Sequence, residues 1–232
     1  MEAWREARWK APPDLGDLRR LTPIDDNWGF ERGRPIDRAY IESFLDLNRE
    51  DIRGRVLEVA GAEYTRRFGT GVEHVDVLHA VEGNPEATIV ADLTDAPHIP
   101  DDTFECVILT QTLQFIYDVP AALGTVHRIL APGGVLLATV PGITKISPPE
   151  DEIWGEWWHF TSKSARRVAE ETFGPGNVEV RSYGNVLTAG AFLYGLCESD
   201  LRPEELDAHD PYYEVTIALR AVKRAGDESA PA

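Results

Sequence analysis

A series of short apolar runs, most of them closing on a polar residue or a glycine, constrains the fold more than any other feature of this 232-residue chain. The runs are Arg55–Ala60, His74–Leu78, Ala87–Ala91, Cys106–Thr110 and Val135–Val140, followed by Val178–Tyr183 and Glu214–Val222. They alternate too little for a sheet wetted on one face and suit strands covered on both. Between them lie segments of helical spacing. Asp37 is placed to cap a helix carrying Ile41, Phe44, Leu45 and Leu47, and Asp118 precedes a helix with Pro120 in its first turn. Thr161 or Ser162 opens a third helix, and Val186–Cys197 reads as a fourth. Strands alternating with helices predict an α/β sheet with right-handed crossovers.

Charge narrows the partners. The net charge is −17, and it is uneven: residues 1–67 carry 13 Arg/Lys against 14 Asp/Glu, residues 68–232 carry 10 against 26. No Lys or Arg occurs between Arg67 and Arg128. Nucleic-acid binding needs basic side chains along the contact surface, so the chain argues against it. A cationic ligand suits the acidic window, although acidity also serves solubility alone. No run of apolar residues is long enough to span a membrane, and the first residues lack the apolar core of a secretory signal. With only Cys106 and Cys197, a disulfide scaffold is excluded and a reducing cytoplasm is the expected compartment.

In an open parallel sheet, ligands sit at the carboxyl ends of the strands, where the strand order reverses. The residues there are Glu58-Val-Ala60-Gly61, Asp76, Asp92-Leu93 and Thr110-Gln111. Carboxylates at successive strand ends can accept hydrogen bonds from ribose hydroxyls, and a Gly lets backbone approach a ligand. The six histidines show no metal-ligand spacing, and no metal is expected.

Four stretches, in order, carry a resemblance: RGRVLEVAGAEY, the run from Asp92 through IPDDTFECVILTQTLQFIYD, RILAPGGVLLATVPG, and EWWHFTSKSARRVAEETF. Over residues 50–222 the chain resembles the class I S-adenosylmethionine (SAM) dependent methyltransferases, and WGFERGRPIDRAYIESFL resembles an N-terminal extension of a bacterial subgroup. The resemblance implies a Rossmann-like, seven-stranded, mostly parallel sheet with flanking helices and an antiparallel last strand. It divides the chain into an extension and lid (1–48), a SAM-binding domain (49–224) and a tail (225–232). It implies SAM as cofactor, held by Glu58, Ala60, Gly61, Tyr64, Asp76, Val77, Asp92, Leu93, Thr110 and Gln111. The strand ends offer no cation for the SAM carboxylate, so one of Arg32, Arg34 and Arg38, Arg38 foremost, is expected to meet it or an anionic acceptor, with a solvated helix face paired as Arg38 to Glu42 as the alternative. Two of the three glycines of the family's first turn are missing, and HAVEGNPEAT replaces the helix usual after the second strand with a loop.

Glu58 inside an apolar strand needs a partner, either the SAM ammonium or an N-terminal Arg. His159, after the fifth strand, is the candidate general base; a packed aromatic-cluster role is the alternative, which would leave Glu156 or Asp118 as the base. The expected reaction is methyl transfer to a small molecule, a hydroxyl of a sugar or secondary metabolite, with no membrane partner and room for a homodimer. A non-catalytic protein on this fold and a cyclase are the alternatives.

Overall fold

The strands form because their apolar side chains have helices to meet on both faces. A computed structural model describes residues 14–224; the Trp4–Trp9 segment, which the sequence allows as a short helix, and the tail from 225 lie outside the described residues. In chain order the elements are α1 (Ile36–Leu47), β1 (Gly54–Val59), α2 (Glu63–Phe68), β2 (Val72–His79), β3 (Ile89–Val90), β4 (Phe104–Thr110), α3 (Val119–Ile129) and β5 (Leu130–Pro141). Then come α4 (Pro148–Trp154), α5 (Ser162–Phe173), β6 (Val178–Tyr183), α6 (Val186–Leu193), α7 (Pro203–Asp207) and β7 (Thr216–Val222). The seven strands lie in one sheet in the order β3-β2-β1-β4-β5-β7-β6. β7 runs antiparallel to both β5 and β6, and the pairs β1–β2, β1–β4, β2–β3 and β4–β5 are parallel. This is the Rossmann-like architecture that the sequence implies.

On one face, Leu57, Val107, Leu109 and Leu136 pack with Leu123 and Val126 of α3 and Ala169 and Phe173 of α5. On the other, Val56, Cys106 and Ile108 pack with Ile41, Phe44 and Leu45 of α1 and Phe68 of α2. Each large side chain buried this way contributes about 1.5–3 kcal/mol. Asp118 caps α3 through Ala121 N, and Thr161 caps α5 in a reciprocal box with Ser164. Asp37 does not cap α1: the N-cap is Pro35, and Asp37 sits in the first turn, accepting from Arg38 N. β3 keeps only two residues of the expected Ala87–Ala91 run, and residues 80–88 form a loop without a helix. No helix among the described residues is long and apolar enough to cross a membrane.

One polar tie, buried at Asp76 and exposed at Arg55, holds the sheet's thin edge. Arg55 Nε donates to Asp76 Oδ2 at 2.7 Å, and Thr88 Oγ1 donates to Asp76 Oδ1 at 2.9 Å. Burial works against the Asp76 charge, but Arg55 and Thr88 outweigh it and hold the carboxyl below its ordinary value. A depressed folded-state value contributes stability above the unfolded value, near 4, which is lost as pH falls through the folded one. Asp76→Ala should therefore cost about 2 kcal/mol in urea unfolding at pH 7, and the gap to wild type should close as the pH is lowered below about 4.

Candidate functional site

Strand order reverses between β1 and β4, and both strands end there in the same unusual way. Ala60, directly after β1, has φ 69°, and Gln111, directly after β4, has φ 47°. A side chain in this left-handed region costs about 1–2 kcal/mol. The two turns splay apart and open a cleft of about 720 Å³. Gly61 faces open space, with no atom within 4 Å of where a Cβ would stand.

The cleft floor is organised by Glu58. Its carboxylate, buried under the turn, accepts from Tyr64 N at 3.1 Å, Thr65 N at 2.8 Å and Thr65 Oγ1 at 2.6 Å. It thereby holds the opening turn of α2 and satisfies amides that a helix start leaves bare. Burial pushes its carboxyl up, against the pull of the Thr65 and Tyr64 donors. Its partners are thus the α2 amides, not an N-terminal arginine. With three of roughly four lone-pair positions taken, one acceptor position on Oε1 remains.

The wall over the floor comes from the N-terminal extension. Trp28, Phe30, Arg34, Asp37 and Arg38 line the cleft. Arg38 Nη1 donates to Tyr64 Oη at 3.0 Å and the guanidinium faces the Phe30 ring at 6.0 Å. The extension is fastened to the loop after α6. Ile24 N donates to Tyr194 O at 2.8 Å, Arg32 meets Asp200, and Arg34 bridges Glu198 and Glu42. Gly195 (φ 72°) lies so close to Asp25 O that a Cβ would stand 1.8 Å from it. On the other side Lys145 sits 3.7 Å from the Trp28 ring centre. Among the cleft residues six carboxylates face three cationic side chains.

Of the residues singled out in the sequence, the structure brings together Arg38, Glu58, Ala60, Gly61, Tyr64, Thr110 and Gln111 around this cleft. Asp76, Val77, Asp92, Leu93 and His159 lie outside its lining. Asp76 is three residues short of the end of β2 and is occupied by Arg55 and Thr88. The residue level with the Ala60 turn is His79, whose ring meets Trp154 edge-on at 6.1 Å. Val77 and Leu93 are buried apolar side chains, Leu93 within the main core cluster. Asp92 closes its own turn, accepting from Thr94 N and Oγ1, both at 2.8 Å.

His159 is one step removed from the cleft. Its Nε2 lies 3.2 Å from Oε1 of Glu156, whose side chain is only 4% exposed and does line the cleft. Ser147 N donates to Glu156 Oε2 at 2.8 Å. Beside it is Gln114, also buried, whose Oε1 has no hydrogen-bond partner. The Gln114 carbonyl accepts from Trp157 N and Trp158 N, and these two indoles cluster with Tyr117 at centroid distances of 5.3 and 5.8 Å on the exposed surface. No sequence signal marks Gln114 for the site, whereas Glu156 is the sequence's alternative to His159; Asp118, the other, caps α3.

Residues 53–138 match the family model described as a methyltransferase domain, over the span that holds β1 to most of β5. The chain is 37% identical over 59 residues to the ubiquinone/menaquinone biosynthesis C-methyltransferase of Marinomonas sp., covering 25% of this chain and 22% of that protein. It spans under half the length of the curated relatives it matches. Among solved structures, the phosphoethanolamine N-methyltransferase 2 of Haemonchus contortus, in complex with phosphomonomethylethanolamine and S-adenosylhomocysteine, superposes with a TM-score of 0.53. The identity is 16%, and the match covers 85% of this chain and 56% of that one. The [4+2]-cyclase SpnF gives 0.53 at 16% identity, over 89% and 88%.

The left-handed Ala60 is the cheapest point at which to test the turn. Ala60→Gly should raise stability by about 0.5 kcal/mol, the strain relieved less the greater freedom of the unfolded chain. Ala60→Val should lower it by about 1–3 kcal/mol, since a branched side chain tolerates this backbone worst. Chemical denaturation of the pair reads both signs.

Proposed function

We propose that this chain, whose residues 53–138 carry a methyltransferase domain within the class I fold, is a SAM-dependent methyltransferase acting on a small molecule. The observation that carries the reading is the cleft at the β1–β4 switch point, whose lining opposes a positively charged ligand with six carboxylates. SAM carries a sulfonium and an ammonium, and its one carboxylate has Arg38 within the same lining. Although the glycines are missing, Ala60 adopts the backbone that a glycine would supply, and Gly61 leaves the approach open. The residues present therefore fit the group.

Glu58 Oε1 and Asp37 would face the ammonium and Arg38 the carboxylate, with Thr110 and Gln111 closing the β4 side. When bound, SAM supplies an electrophilic methyl group that needs alignment more than activation. The protein's own share lies at the far end of the cleft. There Glu156 is a carboxylate held from two sides, and Gln114 offers an unpaired acceptor oxygen. Both call for a ligand that brings hydrogen-bond donors, as hydroxyls do. In this reading Glu156 takes the acceptor proton and His159 is a positioning residue that orients it through Nε2. This revises the role drawn for His159 from the sequence. The exposed Tyr117, Trp157 and Trp158 cluster, tied to Gln114 by backbone hydrogen bonds, offers flat apolar surface for a sugar ring or a fused metabolite. Trp28, Phe30 and Arg38 form the cover that keeps water from the reacting atoms.

A cyclase reading is favoured by the similarity to SpnF, which covers more of both chains than does the phosphoethanolamine enzyme. Product mass separates the two, because methylation adds a methyl group and cyclisation does not.

S-adenosylhomocysteine should raise the melting temperature of the purified protein. At one hundred times its dissociation constant the stabilisation is about 2.7 kcal/mol. Absence of any shift at millimolar ligand would remove the reading. With a hydroxyl acceptor in hand, Glu156→Gln should lower kcat by about 100-fold or more at unchanged S-adenosylhomocysteine affinity. His159→Ala should cost about tenfold, as expected of a group that acts through Glu156.

A further inference from the structure

A second cavity, of about 640 Å³, lies behind α1 at the β6 edge of the sheet. α1 is the partition: Asp37, Arg38 and Glu42 face the first cleft, and Ala39, Tyr40 and Ser43 line the second. The two cavities have opposite charge. The second is lined by Lys163, Arg166, Arg181 and His209, with Asp207 as its one carboxylate. Residues 68–232 hold only 10 Lys and Arg against 26 Asp and Glu, so three of those ten bases gather at one cavity. Solubility gives no reason for that gathering.

Two of the three bases are also not spent on carboxylates. Arg166 is engaged by Val178 O at 3.1 Å and Glu170 at 3.5 Å. Lys163 and Arg181, by contrast, have no carboxylate within ion-pairing distance among the described residues. The buried Tyr183 hydroxyl, beside Arg181, has no acceptor for its proton. Ser162 and Ser182 add hydroxyls, the latter 3.1 Å from His209 Nε2. Ser162 also begins α5, twelve residues long, so the positive end of that helix opens here; its first amide is taken by Glu214. An arginine fork, an ammonium and several hydroxyl donors around one space match a tetrahedral oxyanion of more than one charge.

We propose that this cavity binds a phosphoryl group, free or carried on a larger molecule, separately from the cleft at the switch point. Calorimetric titration of the full chain with inorganic phosphate, pyrophosphate and phenyl phosphate, at constant ionic strength in chloride, tests it. At least one probe should bind below millimolar. Lys163→Glu combined with Arg181→Glu should weaken that binding by at least about tenfold, the equivalent of one charge-assisted hydrogen bond. Arg167→Glu, which reverses a charge on the same helix at an exposed pair with Glu171, should change it less than twofold. Thermal melting checks that each variant is folded, and the milder Lys163→Gln serves if the double variant is not. Tighter binding of phenyl phosphate than of phosphate assigns the site to a phosphate ester, and the reverse to the free anion. No binding of any probe at 10 mM, or equal losses from Arg167→Glu and the double variant, would overturn the proposal. Neither result depends on S-adenosylhomocysteine binding in the first cleft.

Discussion

A single buried carboxylate organises the functional end of this molecule. Glu58 stands where β1 stops, out of reach of bulk water, and its three donors all come from the first turn of α2. A six-residue helix has too few internal hydrogen bonds to persist alone. Its start is fixed by a charge that itself would be costly without those amides. The mutual dependence places Tyr64, and through its hydroxyl Arg38, and so connects the sheet to the extension that covers the cleft. The left-handed turn at Ala60 follows, because the chain must reverse within a few residues to bring α2 back over Glu58.

The strands were legible because burial on both faces leaves a plain record of apolar runs, and the capped helices α3 and α5 were legible from Asp118 and Thr161. Elements whose cause is tertiary were not. α2 is too short to show a period, with only the Tyr64 and Phe68 pair on its core face, and its start is fixed by Glu58. Asp37 looked like a cap because it precedes an apolar stripe, yet Pro35 already sets the start of α1. The strand-end residues Ala60, Gly61, Thr110 and Gln111 could be placed because their position follows from topology. Asp76 could not: polar residues inside strands also serve internal ties, and only the three-dimensional neighbours Arg55 and Thr88 distinguish that use. Gln114 enters the site on a short 3-10 turn after β4 whose path no local pattern records.

Two neighbouring cavities of opposite charge share α1 as a wall. The helix packs into the core through Ile41, Phe44 and Leu45, so it is a rigid partition and not a loose flap. The segment before it, from Asp25 to Arg34, is held by polar contacts to the loop after α6 and by Trp28 against Lys145. Cover and wall thus differ in how they are held: the wall by apolar burial, the cover by ion pairs and hydrogen bonds that exchange readily with water.

The position of Gly195 against Asp25 has a consequence for the order of assembly during synthesis. The two lie 170 positions apart in the chain, and no side chain fits between them. A ribosome delivers the cover before its docking loop, with β1 to β6 made between them. β7 itself is inserted between β5 and β6, so β6 has no neighbour in the sheet until the last strand emerges. The cover is therefore made well before the loop it docks on, and the cleft it roofs stays open to solvent until that loop has emerged.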